Sequence, residues 1–372
     1  MAGRLKELIV AVVLVLGLWC AGILVNPAMS SPQMNEGRDC CPASLQQVVK
    51  GDGERLDCPV TTAVDLSTTL STLDLGPGDR LVLYRNSQPY YHQTQLPHEW
   101  MIVKSITTPA FFQVIGDPQQ DQFVSSMLWD GWYEGPLSET MLHLFKECDP
   151  KAKRFLDVGM NLGWFSLLAA SQGYEVASFE PQTRLVQMVR HSVTLNNYGS
   201  RIHIHNGPVG PDDETVVLHE ASGNWGGASV KAAADGAQNG MKTISLDTAM
   251  SLLDKGMWAH GEKPLYPGAP ICFMKVDVEG FEPEVFANAP ATLGITQYVV
   301  IEFRRNNSGY SAVKHLVDNG FNRFLIMDDL CCKDRASPFL SSGEVTDSIE
   351  KIVAKMSHVS QDSYVNLLLY RA

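Results

Sequence analysis

The chain has no C-x-x-C pair. Its eight cysteines, Cys20, Cys40, Cys41, Cys58, Cys148, Cys272, Cys331 and Cys332, are scattered over 372 residues. That pattern excludes a disulfide-built mini-scaffold and offers no zinc-ligand spacing. Cys40 and Cys58 can bridge if their region is lumenal; the alternative is free thiols. Basic residues are outnumbered, 29 Lys and Arg against 41 Asp and Glu, for a net charge of −12. A protein that tracks nucleic-acid phosphate needs a basic stripe, so no nucleic-acid partner is expected. Internal repeats are absent, which excludes a solenoid. The histidines show no ligand spacing: His203 and His205 alternate as strand decoration, and no metal centre is expected. Also missing is G-x-G-x-x-G, the fingerprint that seats a dinucleotide pyrophosphate. What remains is 45% apolar and 19% charged, the balance of a globular protein with a substantial core.

The stretch that opens at Leu8 and closes at Val25 reads LIVAVVLVLGLWCAGILV, without one charge. As a helix it is about 27 Å long, close to the thickness of a bilayer's hydrocarbon core. Arg4 and Lys6 precede it, and no basic residue follows until Arg38. This bias predicts a single-span signal-anchor with the N-terminus in the cytoplasm and the remainder lumenal or extracellular. The rival is a cleaved signal peptide, since Ala28-Met29-Ser30 offers small residues at a peptidase spacing, and the mature protein is then secreted.

Residues 26–59 carry Pro27, Pro32, Pro42 and Pro59 without periodicity and read as a stem. Residues 60–120 read as a small β-rich appendage, with strands expected at 80–84 and 110–115. From Asp121 to Ala372 helices and strands alternate. Strands are expected at 154–157, 175–180, 202–206, 216–218, 243–245, 271–277, 298–302, 323–327 and 364–370. Helices are expected at 138–148, 162–172, 183–196 and 311–319. This is the pattern of an α/β, doubly wound, mostly parallel sheet, with the last strand antiparallel.

The strongest chemical signal is Phe155-Leu-Asp157-Val-Gly159-Met-Asn161-Leu-Gly163-Trp-Phe-Ser. A strand ends on an acid and enters a glycine-spaced turn that opens a helix. Gly159 and Gly163 let backbone approach a ligand, and the helix start presents free N–H groups. The acid at the strand end is unwelcome beside a pyrophosphate and welcome beside an ammonium and a sulfonium. The next strand ends Ser178-Phe-Glu180-Pro181, and Glu180 lies 23 residues after Asp157. An acid there is placed to accept hydrogen bonds from ribose hydroxyls. A third motif, Phe273-Met-Lys275-Val-Asp277-Val-Glu279-Gly280, closes an apolar strand with polar residues at a period of two. Lys275, Asp277 and Glu279 form either a strand-capping ion pair or the groups that orient and deprotonate an acceptor. Two carboxylates alone are a thin cage for a metal. Glu302 ends a neighbouring strand and could face the same cleft, and the loop 224–229 could cover the acceptor. Asn306-Asn307-Ser308 is a glycosylation acceptor if lumenal.

Taken in order, the motifs beginning at Asp157, Phe179, Ser245-Leu-Asp247 and Lys275, with the lead-in Asp121 and Gly131-Trp-Tyr-Glu134, resemble the signatures of FkbM-type methyltransferases. The resemblance covers about two thirds of the chain. It implies a Rossmann-like methyltransferase fold, S-adenosyl-L-methionine as cofactor, and O-methylation of a glycan or small-molecule hydroxyl or carboxyl. Met160 departs from the family's usual alanine and requires a side chain turned into the sheet. On this reading Asp157, Gly159, Asn161, Gly163 and Glu180 hold the cofactor, and Lys275, Asp277 and Glu279 serve the acceptor. Two other classes stay open: a nicotinamide-dependent oxidoreductase, and a non-catalytic membrane-tethered module.

Overall fold

The computed structural model describes residues 80–83, 99–104, 113–116, 133–221, 224–233, 239–258, 263–327, 348–355 and 364–371. All of them fall within the unit Leu75–Ala372. The expected anchor at 8–25, the stem, Asp121, Gly131 and the cysteines other than Cys148 and Cys272 lie outside the described residues. Among the described residues, no helix is long and apolar enough to cross a membrane.

Three short strands, β1 (Arg80–Leu83), β2 (Glu99–Lys104) and β3 (Gln113–Gly116), form one sheet. β1 and β2 run parallel, and β2 and β3 antiparallel. The strand β2 has no counterpart in the sequence-based expectations.

The central sheet has seven strands: β4 (Arg154–Val158), β5 (Glu175–Phe179), β6 (Ile202–His205), β10 (Ile271–Val276), β11 (Thr296–Arg304), β12 (Arg323–Ile326) and β13 (Tyr364–Tyr370). Their order is β12-β13-β11-β10-β4-β5-β6. The pairs among β6, β5, β4, β10 and β11 are parallel. β13 inserts antiparallel between β11 and β12. The fold is therefore Rossmann-like and mostly parallel, with the expected antiparallel last strand. β4 and β5 have no exposed position, and their polar members Arg154, Asp157, Glu175 and Ser178 are buried in the sheet among apolar neighbours.

Helices cover both faces. α1 (Gly135–Glu147), α2 (Trp164–Ser171) and α3 (Thr183–Leu195) follow in chain order. On one face Phe145 of α1 meets Phe155 and Phe273 edge-on and stacks on Tyr174. On the other, Leu156, Phe179, Met274, Val299 and Ile301 pack against α4 (Leu246–Asp254), α5 (Glu282–Ala287), α6 (Pro290–Gly294) and α7 (Asn307–Asp318). A last short helix, α8 (Ile349–Lys355), precedes β13.

Of the expected strand at 243–245, Ile244 pairs in an isolated parallel bridge with Val209, and Ser245 starts a helix. Ser245 Oγ accepts from Thr248 N at 3.1 Å, which makes it the N-cap of α4. Asp247 then accepts from Ala291 N and from both Thr292 N and Thr292 Oγ1, tying α4 to α6. Asn306 likewise caps α7 by accepting from Gly309 N, so the Asn-x-Ser triplet has a structural use. Strands β7 (Thr215–His219), β8 (Ser229–Ala232) and β9 (Met241–Lys242) form a separate antiparallel sheet.

His203 and His205 sit on β6 as expected. His203 is buried, with Nε2 3.1 Å from Glu175 Oε1, and Glu175 also accepts from Arg154 Nε at 3.0 Å. This network closes the end of the sheet opposite the glycine turn.

Cys148, the C-cap of α1, is bonded to Cys272 on β10 across a Cα separation of 5.6 Å. Both are buried. Cys40 and Cys58, for which the sequence leaves a bridge or free thiols open, lie outside the described residues.

Candidate functional site

A cavity of about 230 Å³ opens where β4, β5, β10 and β11 end. In an open parallel sheet, ligands sit outside these carboxyl ends. At one end it is lined by Gly159, Asn161, Glu180, Gln182 and the residues 207–209 that follow β6. At the other it is lined by Glu134, Asp277, Glu279, Glu302, Arg304 and Tyr364.

Three of the non-glycine residues with positive φ line it: Glu134 (41°), Asn161 (50°) and Glu279 (55°). Each such conformation costs about 1 kcal/mol or more and persists only where the surroundings impose it.

Glu180 is 4% exposed. Its two oxygens accept from Asn161 N at 3.1 Å and Gln182 N at 2.9 Å. Burial pushes its carboxyl up to about 7, against the pull of those two N–H groups. Asn161 also carries a buried side-chain oxygen with no partner.

Asp157 does not line the cavity. It is fully buried on β4, Oδ2 accepts from Ser166 Oγ at 2.5 Å, and Oδ1 has no partner. Burial raises its carboxyl above the ordinary range. Gly163 stands behind the wall as well. A side chain there would meet Val189 Cγ1 of α3 at 2.8 Å, so this glycine lets α2 and α3 pack. Gly159 lines the cavity, but its requirement comes from the protein itself. A Cβ would overlap the Asp277 carbonyl oxygen, and φ is +81°. Met160 is buried, as its departure from alanine requires.

The register pairs Lys275 with Asp157 across β10 and β4. Lys275 is 4% exposed and outside the cavity lining; its Nζ donates to Asp277 Oδ2 at 2.9 Å and lies 5.1 Å from the Phe165 ring centre. Against the desolvation of Lys275, Asp277, followed by Glu134 and Asp157, holds its ammonium above the ordinary value. Lys275 thus supports Asp277 rather than facing a ligand.

Glu302 and Arg304 complete the other end of the cavity. Arg304 Nη2 donates to Glu279 at 2.6 Å and to Glu302 at 3.0 Å. Oxygens of Asp277, Glu279 and Glu302 lie within 4.8 Å of one another. Burial first, and then this mutual repulsion, pushes Glu279 up to about 7 and Glu302 up to about 8. The two-carboxylate cage gains a third member here, the spacing at which a cation could be held. Arg304 escaped notice in the sequence, although Glu302-x-Arg304 repeats the period-two pattern of Lys275-x-Asp277.

No protein-family model matches the chain, and no curated protein matches it. Solved structures do. The bifunctional kinase-methyltransferase WbdD aligns at 12% identity over 66% of this chain and 42% of its own, with a TM-score of 0.32. The chain therefore spans less than half the length of that protein. The METTL16 methyltransferase domain aligns at 13% identity over 63% of this chain and 64% of its own, with a TM-score of 0.33. Geranyl diphosphate C-methyltransferase from Streptomyces coelicolor aligns at 9% identity over 69% and 85%, with a TM-score of 0.35. At these values the likeness carries no residue assignment.

Proposed function

We propose that the chain is an S-adenosylmethionine-dependent methyltransferase that methylates a hydroxyl of a glycan or other small neutral acceptor, and that it is of the FkbM type. One observation carries this reading: a single cavity joins a buried ribose-type acid, Glu180, to the carboxylate group of Asp277, Glu279 and Glu302.

The residues present fit the cofactor. Glu180 offers carboxylate oxygens to ribose hydroxyls, and the unpartnered oxygen of Asn161 is an acceptor suited to an ammonium group. An acidic lining favours a sulfonium. S-adenosylmethionine, when bound, supplies a methyl group on that sulfonium. Asp277 orients the acceptor hydroxyl and takes its proton, and Lys275 fixes the position of the Asp277 carboxylate. Glu134, Asp277, Glu279 and Glu302 face Arg304, whose guanidinium already pairs with two of them. With Arg304 so paired, the described lining offers an anionic acceptor no other cation, so a hydroxyl fits better than a carboxyl.

The test is calorimetry with S-adenosylhomocysteine at several pH values. Affinity should rise from pH 6 to pH 8, because the ionised form of Glu180 accepts hydrogen bonds and its carboxyl titrates at about 7. Glu180→Gln should remove the pH dependence and weaken binding by about 1–3 kcal/mol. The sign for stability is opposite. A carboxyl raised above its ordinary 4.5 stabilises the ligand-free fold at low pH, and that contribution is lost as pH rises through about 7. No binding by the wild type at any pH overturns the proposal.

The catalytic domain is placed on the non-cytosolic side of a membrane, held there by residues 8–25. The Cys148–Cys272 bond supports this placement, since structural disulfides persist in oxidising compartments. Peptide mapping after alkylation should recover the two cysteines as a linked pair, and Cys148→Ser should cost about 2–5 kcal/mol in chemical unfolding. Free thiols at both positions in protein made through the secretory route would remove this support.

A further inference from the structure

Strands β7 and β8 are joined through a segment that includes the turn 224–228. It is anchored beside Glu180. Gln182 Nε2 donates to Trp225 O at 2.9 Å, and Gln182 lies two residues beyond Glu180. The Arg184 guanidinium stands 4.5 Å over the Trp225 ring. Asn224 Oδ1 accepts from Gly227 N at 3.2 Å, which closes the turn. Both anchors, Gln182 and Arg184, belong to the segment that leaves β5 directly after the ribose-type acid.

The turn presents a particular surface. Asn224, Gly226, Gly227 and Ala228 line the cavity, whereas Trp225 does not. The cavity wall there is backbone amide and carbonyl, one short amide side chain and no bulky group. A flat heterocycle can lie close against such a wall and exchange hydrogen bonds with it along its edge. A sugar ring held at Glu180 would carry its base toward this neighbouring wall.

We propose that the turn 224–228 is the base-reading wall of the cofactor site, and that Arg184 and Gln182 are positioning residues that hold it through Trp225. This rests on the cofactor reading above. It also gives the β7–β8–β9 sheet a use as part of the nucleoside site.

The experiment is calorimetry on the full chain with two probes, S-adenosylhomocysteine and adenosine. Arg184→Ala and Trp225→Ala should each weaken both probes by the same factor, about tenfold, the scale of a lost cation–π contact with loosening of the wall. Arg184→Lys should restore part of that loss, because an ammonium still attracts the indole face. The thermal midpoint of each ligand-free variant should stay near that of the wild type. Unchanged probe affinity in both alanine variants overturns the proposal. A ligand-free midpoint that falls without recovery in Arg184→Lys also overturns it, since the contact is then structural. If the wild type binds neither probe, the cofactor reading itself has failed; wild-type binding with indifferent variants defeats the base-reading wall alone.

Discussion

Asp277→Asn is expected to reduce turnover about 100-fold or more, the scale of lost general-base catalysis, while S-adenosylhomocysteine binds nearly as before. Asp277 lines the end of the cavity proposed for the acceptor, and Glu180 the other. Asparagine keeps the size of the side chain and an oxygen for the Lys275 ammonium, but it cannot take a proton. Asp277 also neutralises a lysine that is 4% exposed. Some loss of stability will therefore accompany the loss of turnover, and a fallen melting point by itself decides nothing. The deciding comparison is the double variant Lys275→Met/Asp277→Asn. If Asp277 served only to neutralise Lys275, removing both charges would restore turnover. If Asp277 takes the proton, the double variant stays as slow as Asp277→Asn although its stability recovers. Urea unfolding and initial rates on the four proteins of this cycle separate the two roles.

Gly159→Ala is expected to destabilise the fold by about 3 kcal/mol or more, through overpacking together with a strained backbone angle. Neither neighbour can move aside. Gly159 N donates to Phe179 O at 3.0 Å, and Asp277 N donates to Val158 O at 3.0 Å, so the turn is stitched to β5 on one side and to β10 on the other. A methyl group must push the Asp277 carbonyl away and displace Asp277 with it. Gly173→Ala is the control. Its φ is +88°, and nothing stands within 4 Å of a Cβ built there. It should show the cost of the backbone angle alone, about 1 kcal/mol. Equal unfolding free energies for the two variants would show that the close approach at Gly159 carries no weight. The glycine thus matters first to the joint between two strands, and to the ligand only through it.

Most of the sheet was legible because its strands are built around short buried apolar runs, such as Val299, Val300 and Ile301 in β11 and Leu367, Leu368 and Leu369 in β13. Short helices were less so. Leu246–Asp254, Glu282–Ala287 and Pro290–Gly294 carry too few turns to display a period, and Ser245 reveals itself as a cap only through its bond to Thr248.

The sequence by itself determined where an acid had to end a strand and where a turn needed glycine, because these depend on neighbours along the chain. Asp157, Gly159, Glu180 and Asp277 could be picked out for that reason. Which side chains share a cavity was decided only by the tertiary structure. Strand order brings β10 beside β4 and β11 beside β10, and this sets Glu302 and Arg304 next to Glu279. The same packing places Asp157, Gly163 and Lys275 behind the wall and carries the turn 224–228 to Gln182. Period and composition report how a residue relates to its own strand or helix. A cavity is made by residues far apart in the chain, and their meeting is fixed by packing.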